Sequence, residues 1–566
     1  MVPPSPAVAP EDLLLARFHG HVDRRPDATW LSQPMGGGVV DHFSFARAFD
    51  EASRMAAWLR ALELPPGSRV AILSKNCAHF ILAELAIWMA GHVSVALYPT
   101  LDAATVRYIL EHSEAQLLFV GKLDTWDEMR PGVPEGLKQV SFPLSPTSDL
   151  PTWSELIAQV APLPERTQRP ASDLALLLYT SGSTGQPKGV MHDFASISAA
   201  TVGIVRALGL NEADRMLSYL PLAHAMERWL IEFVSFVAGG HIFFAESLDT
   251  FVHDLARARP TIFLSVPRLW LKFQLGVFRK MPPKKLSRLL KIPVVGGLVR
   301  RKVLAGLGLD QVRLAGSGSA PIPGDLIQWY RDLGLELLEG YGMSENFSYS
   351  HLSLPGKARV GYVGSTYPEV MCRLTDEGEV LVKSPGSMRG YYKQPEVSAE
   401  CFTEDGFLRT GDRGEIDGEG RLRITGRVKE LFKTSKGKYV APAPIENLIN
   451  NDPHVELSCV AGSGYPEAHA VVQLSEDLLP TLADPAVRAR VEAALGALLD
   501  QVNAQVLGYE RLAFLAVARE PWTIEAGFLT PTLKIKRARI EDAYSPQLDA
   551  WYADKSKVIW EQPPAA

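Results

Sequence analysis

The sequence predicts an α/β protein of two or more domains, and three observations predict it. The chain has 566 residues, more than one hydrophobic core commonly serves. Its N-terminal half alternates short apolar β-rich runs with helical patterns. Its last third changes to short strands broken by glycine turns, then to an α+β pattern.

Each element follows from local pattern. RVAILS at 69–74 is a strand and 77–90 a helix. HVSVALYP at 92–99 is a second strand, 103–112 a second helix, and AQLLFV at 115–120 a third strand. That βαβαβ rhythm requires a parallel sheet with helices on its faces. Proline-rich segments at 131–151 and 162–170 read as surface loops. A second alternating region runs from 174 to about 320. From 361 to 424, DEGEVLVKS and IDGEGRLRIT read as a small β-unit. GRVKELFK separates it from a final stretch with helical patterns at 443–450 and 484–505.

Composition excludes several classes. Hydrophobic residues at 46% and charged residues at 22% are those of a soluble chain. A net charge of -6 argues against nucleic acid as main partner. Cys77, Cys372, Cys401 and Cys459 show no paired spacing, so buried free thiols in a reducing compartment are expected. The first residues, MVPPSPAVAPEDLLL, carry acids where a secretory signal needs a basic segment. The longest apolar stretch, 85–97, is interrupted by Gly91 and His92 and is too short for a bilayer. A cytoplasmic protein without a transmembrane helix is expected.

LALLLYTSGSTGQPKGVMH is the strongest local motif. A buried strand at 174–179 enters a loop of Thr180, Ser181, Gly182, Ser183, Thr184, Gly185, Gln186, Pro187, Lys188 and Gly189. Glycines let amide N–H groups turn toward an anion, while hydroxyls and a lysine add donors and charge. A Walker A loop would have Ser or Thr after its Gly-Lys, whereas Lys188 stands between Pro187 and Gly189. A nucleotide-triphosphate switch or motor is thereby disfavoured.

At this loop the sequence resembles the adenylate-forming superfamily, which includes acyl-CoA synthetases, luciferases and peptide-synthetase adenylation domains. The resemblance runs from about Asp27 to Arg537 and rests on further motifs in family order. These are PLAHAMER (221–228), AGSGSAPI (315–322), EGYGMSE (339–345), RTGDRGEID (409–417), GRVKELFKTSKGKYVAPAPIE (426–446) and TPTLKIKR (530–537). It implies a large N-terminal domain, 1–426, of α/β subdomains with a β-barrel-like unit. A small mobile α+β lid, 427–566, would carry the catalytic lysine.

The implied reaction makes an acyl-adenylate from a carboxylate and ATP, then transfers the acyl group to coenzyme A. Such chemistry needs no protein nucleophile, only positioning and charge stabilisation. By resemblance, Glu345 engages Mg²⁺, and Ser344, where most members have Thr, contacts the α-phosphate. Tyr341 and Gly342 meet the adenine, whose pocket is lined by Gly316, Ser317, Gly318, Ser319 and Ala320. Asp412 accepts the ribose hydroxyls and Arg427 reaches the same sugar. Lys534 contacts the substrate carboxylate and α-phosphate during adenylation. The common glycine before this lysine is Leu533 here, as in long-chain members, and Lys536 and Arg537 read as a solvated face. Lys429 falls at the hinge, and Lys436 replaces a usual glycine in a basic loop suited to the anionic CoA nucleotide. His224 resembles the residue near the acyl entrance, against the alternative of a core histidine. Trp229 lies nearby without matching the family's tunnel-gating tryptophan in spacing.

SVPRLWLKF at 265–273 resembles long-chain acyl-CoA synthetases, so a fatty acid is the expected substrate. Between Leu255 and Leu309 there is no Asp or Glu, while basic and apolar residues interleave. Two readings stand: peripheral contact with an anionic membrane at its inner face, or an exposed face that solubilises a loop. Two rivals to CoA ligation also stand. One is an adenylate-forming enzyme with another acceptor, an acyl carrier protein or the substrate's own hydroxyl in lactone formation. The other is a non-catalytic acyl- or nucleotide-binding relative.

Overall fold

In a computed structural model, described for residues 4–147, 149–180, 186–524, 526–530 and 534–562, the chain forms two compact units. The first comprises 1–320, 326–373 and 381–410, and the second 321–325, 374–380 and 411–566.

The first unit contains two large sheets. A six-stranded sheet has the order Lys138–Ser141, Ala115–Val120, Arg69–Leu73, Val93–Leu97, Leu174–Thr180, Lys188–Asp193. Its first five strands are parallel and the last is antiparallel. A nine-stranded sheet is centred on parallel strands Leu337–Tyr341, Leu314–Ser317, Ile262–Ser265, Arg215–Ser218 and His241–Phe244. Helix Ala78–Met89 packs against strands of both sheets, and all twelve of its residues are buried. A helix apolar on every side suits only such an interior layer. Its only acid, Glu84, is fully buried and is ion-paired to Arg228.

The expected βαβαβ run is observed with boundaries within a residue or two. The helices are Ala78–Met89 and Ala103–Ser113, and the third strand is Ala115–Val120. Asp102 caps the second helix by accepting from the Thr105 amide, the usual service of a side-chain oxygen to an unpaired helical N–H. Cys77 and Cys459 are buried, but Cys372 and Cys401 are only half-buried. The expectation of four buried thiols is corrected, because those two lie on and beside shallow strands of the small β-unit.

In the second unit, strands Val455–Ala461, Ala468–Leu474, Leu512–Val517 and Val558–Trp560 form one sheet. Alternation with period two sends Val460, Ala470, Val472, Leu515 and Val517 to a core shared with helices Pro442–Ile449 and Pro485–Gln505. Their neighbours Cys459, Val471, Phe514 and Ala516 join Ile540, Tyr544 and Trp551 on the opposite face. Arg537 is clamped by Glu446 through contacts of 2.6 and 2.8 Å and donates to the Val460 carbonyl at 2.9 Å. This corrects its expected place on a solvated face: its guanidinium fastens helix Pro442–Ile449 to the sheet edge. No helix among the described residues is long and apolar enough to cross a membrane.

Candidate active site

The phosphate-loop motif begins on a hairpin. Thr180 ends strand Leu174–Thr180 and pairs with Lys188, the first residue of Lys188–Asp193. Lys188 and Gly189 therefore lie on a strand, a correction to their expected place in the loop. The expected phosphate-loop residues Ser181, Gly182, Ser183, Thr184 and Gly185 lie outside the described residues.

Strand Lys188–Asp193 recruits a second segment by main-chain pairing. The Tyr392 amide donates to Gly189 and the Arg389 amide to Met191. That pairing delivers Tyr391, whose hydroxyl donates to Glu345 Oε1 at 2.8 Å. Lys188 Nζ lies 5.0 Å from the Tyr391 ring centre. Burial and the neighbouring Glu345 charge push the Tyr391 hydroxyl far above its ordinary range, so it stays protonated and donates. Lys188, Tyr391 and Glu345 thus form one cluster. Tyr391 was not among the expected site residues. Its signal is the tyrosine pair in RGYYKQPE, which resembles nothing chemical until the fold sets it beside Glu345.

The Ser344 and Glu345 backbone is held just as closely. His192 is fully buried and burial lowers its pKa to about 4. Its neutral ring meets the Ser344 carbonyl at 2.7 Å through Nε2, and a carbonyl only accepts, so the proton resides on Nε2. The Met388 amide donates to the Glu345 carbonyl at 2.7 Å. Phe347 and Ser348 then adopt successive left-handed conformations, φ 49° and 60°. Such strain in non-glycine residues persists where surroundings over-determine it and gathers at functional sites. Gly342 permits the fold-back, because a Cβ there would stand 2.5 Å from the Ser348 carbonyl oxygen.

The expected adenine-pocket residues lie at strand ends of the nine-stranded sheet. Strand Leu314–Ser317 ends in the Gly316–Ala320 turn beside Leu337–Tyr341. A Cβ on Gly316 would fall 2.5 Å from Leu264 Cδ2, so a larger residue there would have to displace the Leu264 side chain. Ser317 Oγ is buried without a hydrogen-bond partner among the described residues, a group suited to a polar ligand. Ser319 takes φ 67°, and its hydroxyl approaches Met226 Sδ at 3.6 Å. That contact sets the His224 segment beside this turn. Tyr341 pairs with His351 across strands, ring centres 6.0 Å apart.

His224 is half-buried and caps the turn that follows, accepting from the Met226 amide on Nδ1 at 3.2 Å. Glu227, fully buried, accepts from Ser218 Oγ, the Tyr219 amide and Asn76 Nδ2. Burial lifts its carboxyl to about 8, so it is held protonated at neutral pH. Next comes a π-helical turn, Arg228–Phe233, a form frequent at functional sites. Trp229 packs edge-on against Tyr349 and Tyr367, and its Nε1 has no partner among the described residues.

In the second unit, Asp412 and Arg427 are cross-strand partners, with Arg427 Nε 3.0 Å from Asp412 Oδ1. Both expected ribose contacts are thus at one hairpin position, and the Gly411 amide donates to nearby Glu379. Lys429 is exposed in the short 3₁₀ turn Val428–Glu430 that follows. Lys534 is exposed at the close of a hairpin: the Thr530 amide donates to its carbonyl at 2.8 Å, and its own amide donates to Thr530 Oγ1 at 3.1 Å. Lys436 Nζ lies 3.3 Å from Glu467 on the surface.

Known proteins are similar to this chain along nearly its whole length. The family model described as AMP-binding enzyme matches residues 18–392, and that of the AMP-binding enzyme C-terminal domain matches 430–556. The long-chain-fatty-acid–CoA ligase FadD15 of Mycobacterium bovis is 29% identical, with 97% of this chain and 99% of that protein aligned. Fatty acyl-CoA synthetase A of Dictyostelium discoideum is 30% identical over 91% of this chain and 86% of its own. Among solved structures, the A domain of carboxylic acid reductase from Segniliparus rugosus, in complex with AMP and a carboxylic acid, superposes with TM-score 0.77. The identity is 22%, covering 96% of this chain and 94% of that one, which speaks to fold. The buried-strand hairpin and the Glu345 cluster fall in the first matched segment and Lys534 in the second, while Asp412 and Arg427 lie between the two, and the chain belongs to the AMP-binding enzyme family.

Proposed function

We propose that this protein is an ATP-dependent long-chain fatty acid–CoA ligase. The observation that carries this reading is near end-to-end similarity to named long-chain ligases, with the segments of Glu345 and Lys534 inside the matched family models. The fatty-acid carboxylate attacks the α-phosphorus of ATP, forming the acyl-adenylate and expelling pyrophosphate. The CoA thiolate then attacks the acyl carbon and expels AMP.

The residues take these roles. Thr180, Lys188 and the intervening loop cradle the pyrophosphate end of ATP. The Ser317 hydroxyl, without a partner among the described residues, and the Gly316–Ala320 backbone, with Tyr341 and Gly342, receive the base. Asp412 accepts from the ribose, assisted by Arg427. Ser344 contacts the α-phosphate and His224 stands toward the acyl carboxylate. Lys534 supplies positive charge as negative charge builds. The functional boundary lies at 426–427, with Lys429 as hinge, and Lys436 serves the CoA nucleotide.

Glu345 fits Mg²⁺. It is a hard oxygen donor, and a single carboxylate completed by substrate phosphates is the usual Mg²⁺ arrangement. When bound, Mg²⁺ offsets phosphate charge. Tyr391 occupies Oε1 of Glu345 and so orients the carboxylate. Tyr391→Phe is expected to raise the Mg²⁺ concentration for half-maximal pyrophosphate exchange about tenfold, the scale of one hydrogen bond to a charged group. Fatty-acid KM should not change. An unchanged Mg²⁺ dependence would leave Tyr391 as packing alone.

The protein is read as cytoplasmic, with peripheral contact to an anionic bilayer through 255–309. Turnover over a series of carboxylates from short to long tests the activity. Pyrophosphate exchange should rise with chain length, and AMP release should require CoA. Exchange without CoA-dependent release would point to another acyl acceptor. No exchange with any carboxylate would point to a binding protein.

A further inference from the structure

The acid-free stretch folds into a helical hairpin whose tip is apolar. Helices Pro283–Leu290 and Val295–Gly306 pack against each other across a four-residue turn, 291–294. Gly296 permits the close crossing, since a Cβ there would meet the Leu290 carbonyl oxygen at 2.4 Å. At the tip, Val294 is 82% exposed, Leu298 66%, Ile292 45% and Val295 38%. Val294 is also held at φ 65°, a region costly for a β-branched residue. The fold thus spends backbone strain on presenting aliphatic groups outward.

Along the hairpin's own sequence the charge has one sign. Lys284, Lys285, Arg288, Lys291, Arg301 and Lys302 flank the tip, and none makes an ion pair among the described residues. Arg300 instead anchors the hairpin by donating to the Asp332 carbonyl at 2.8 Å. The tip's backbone is also largely satisfied internally. The amides of Lys291, Ile292, Val295 and Gly296 donate to carbonyls within 288–293, and Pro293 has no amide hydrogen. An unsatisfied amide is the main obstacle to placing a turn in hydrocarbon.

We propose that residues 292–298 insert into the apolar edge of an anionic lipid bilayer, with the basic residues at headgroup level. Aliphatic side chains without hydrogen-bonding groups favour lipid over nucleic acid, whose bases call for aromatic or polar contacts. A collar of cations without ion pairs among the described residues matches anionic headgroups. The inference deepens the ligase reading and rests on it for its purpose, because a fatty acid dissolves in such a layer. Its geometry is independent of that reading.

The experiment is flotation of the full chain with phosphatidylcholine vesicles, with and without one-third phosphatidylserine. Binding is expected to the anionic vesicles and to weaken with salt. The charge-preserving pair Val294→Ser and Leu298→Ser should lower binding about tenfold or more. It should leave the melting temperature and turnover of a water-soluble short acyl substrate unchanged. A single reporter, Val294→Trp, should show blue-shifted fluorescence with anionic vesicles. Wild-type binding at low salt that is absent, or equal in the Ser variant, overturns the proposal. So does a concentration-dependent dimer abolished by the Ser variant without vesicle binding, which would make the tip a protein interface. Vesicle binding without acyl-CoA formation from any carboxylate would sink the ligase reading and leave this one standing.

Discussion

Replacing Lys534 with alanine should slow acyl-adenylate formation by about 10²–10³-fold, the usual loss when one preorganised donor to developing charge is removed. Thioester formation from a pre-made acyl-adenylate should keep its rate if the mobile lid withdraws Lys534 before the thiolate attacks, as the resemblance implies, so that the charge gained by the departing AMP is met by other groups. The fold should be untouched. The hairpin at Lys534 is closed by its own amide and carbonyl with Thr530, and alanine preserves both. Its neighbour in the KIKR run behaves differently. Arg537 is the buried partner of Glu446, so Arg537→Ala should lower the melting temperature of the second unit. Pyrophosphate exchange, single-turnover transfer from synthetic acyl-adenylate, and thermal melts separate these outcomes. Exchange by Lys534→Ala at the wild-type rate would remove this lysine from the mechanism.

Much of the fold is legible because its elements are locally consistent. Helix Ala78–Met89 is apolar but for His79 and Glu84 and is bounded by Cys77 and Gly91, so pattern alone bounds it within about a residue. The strands of the second unit alternate between two cores, which a period of two announces. The site is less legible, because its contacts join distant segments. Tyr391 meets Glu345 across 46 positions, and no local rule links RGYY to EGYGMSE. Lys188 looks like a loop residue beside Pro187 and Gly189, yet cross-strand pairing with Thr180 places it on a strand. Arg537 looks like surface charge because its partner Glu446 is 91 positions away. The basic stretch was visible as composition, but which apolar residues face outward depends on the turn at Val294.

The largest expected loss of stability comes from the first unit's interior. Arg228, Glu84 and Glu232 have fully buried side chains. Arg228 grips Glu84 through contacts of 2.5 and 2.9 Å and also donates to Ser94 Oγ at 2.8 Å. Glu232 lies 3.7 Å from Arg228 Nε, but neither of its oxygens has a hydrogen-bond partner among the described residues. Burial, and then the Glu84 charge, push its carboxyl well above the ordinary range. The cluster therefore balances one guanidinium against one carboxylate, with Glu232 holding its proton. Arg228→Met should cost about 3–5 kcal/mol, because it strands the Glu84 charge in the interior. Glu232→Gln, one neutral group for another, should cost about 1 kcal/mol or less. Adding Glu84→Gln to Arg228→Met should recover part of the loss, since no buried charge then remains. Denaturant melts of the three variants decide the matter; equal costs for Arg228→Met and Glu232→Gln would refute this charge assignment. The consequence reaches the site, for Arg228 opens the π-turn that follows His224 and carries Trp229.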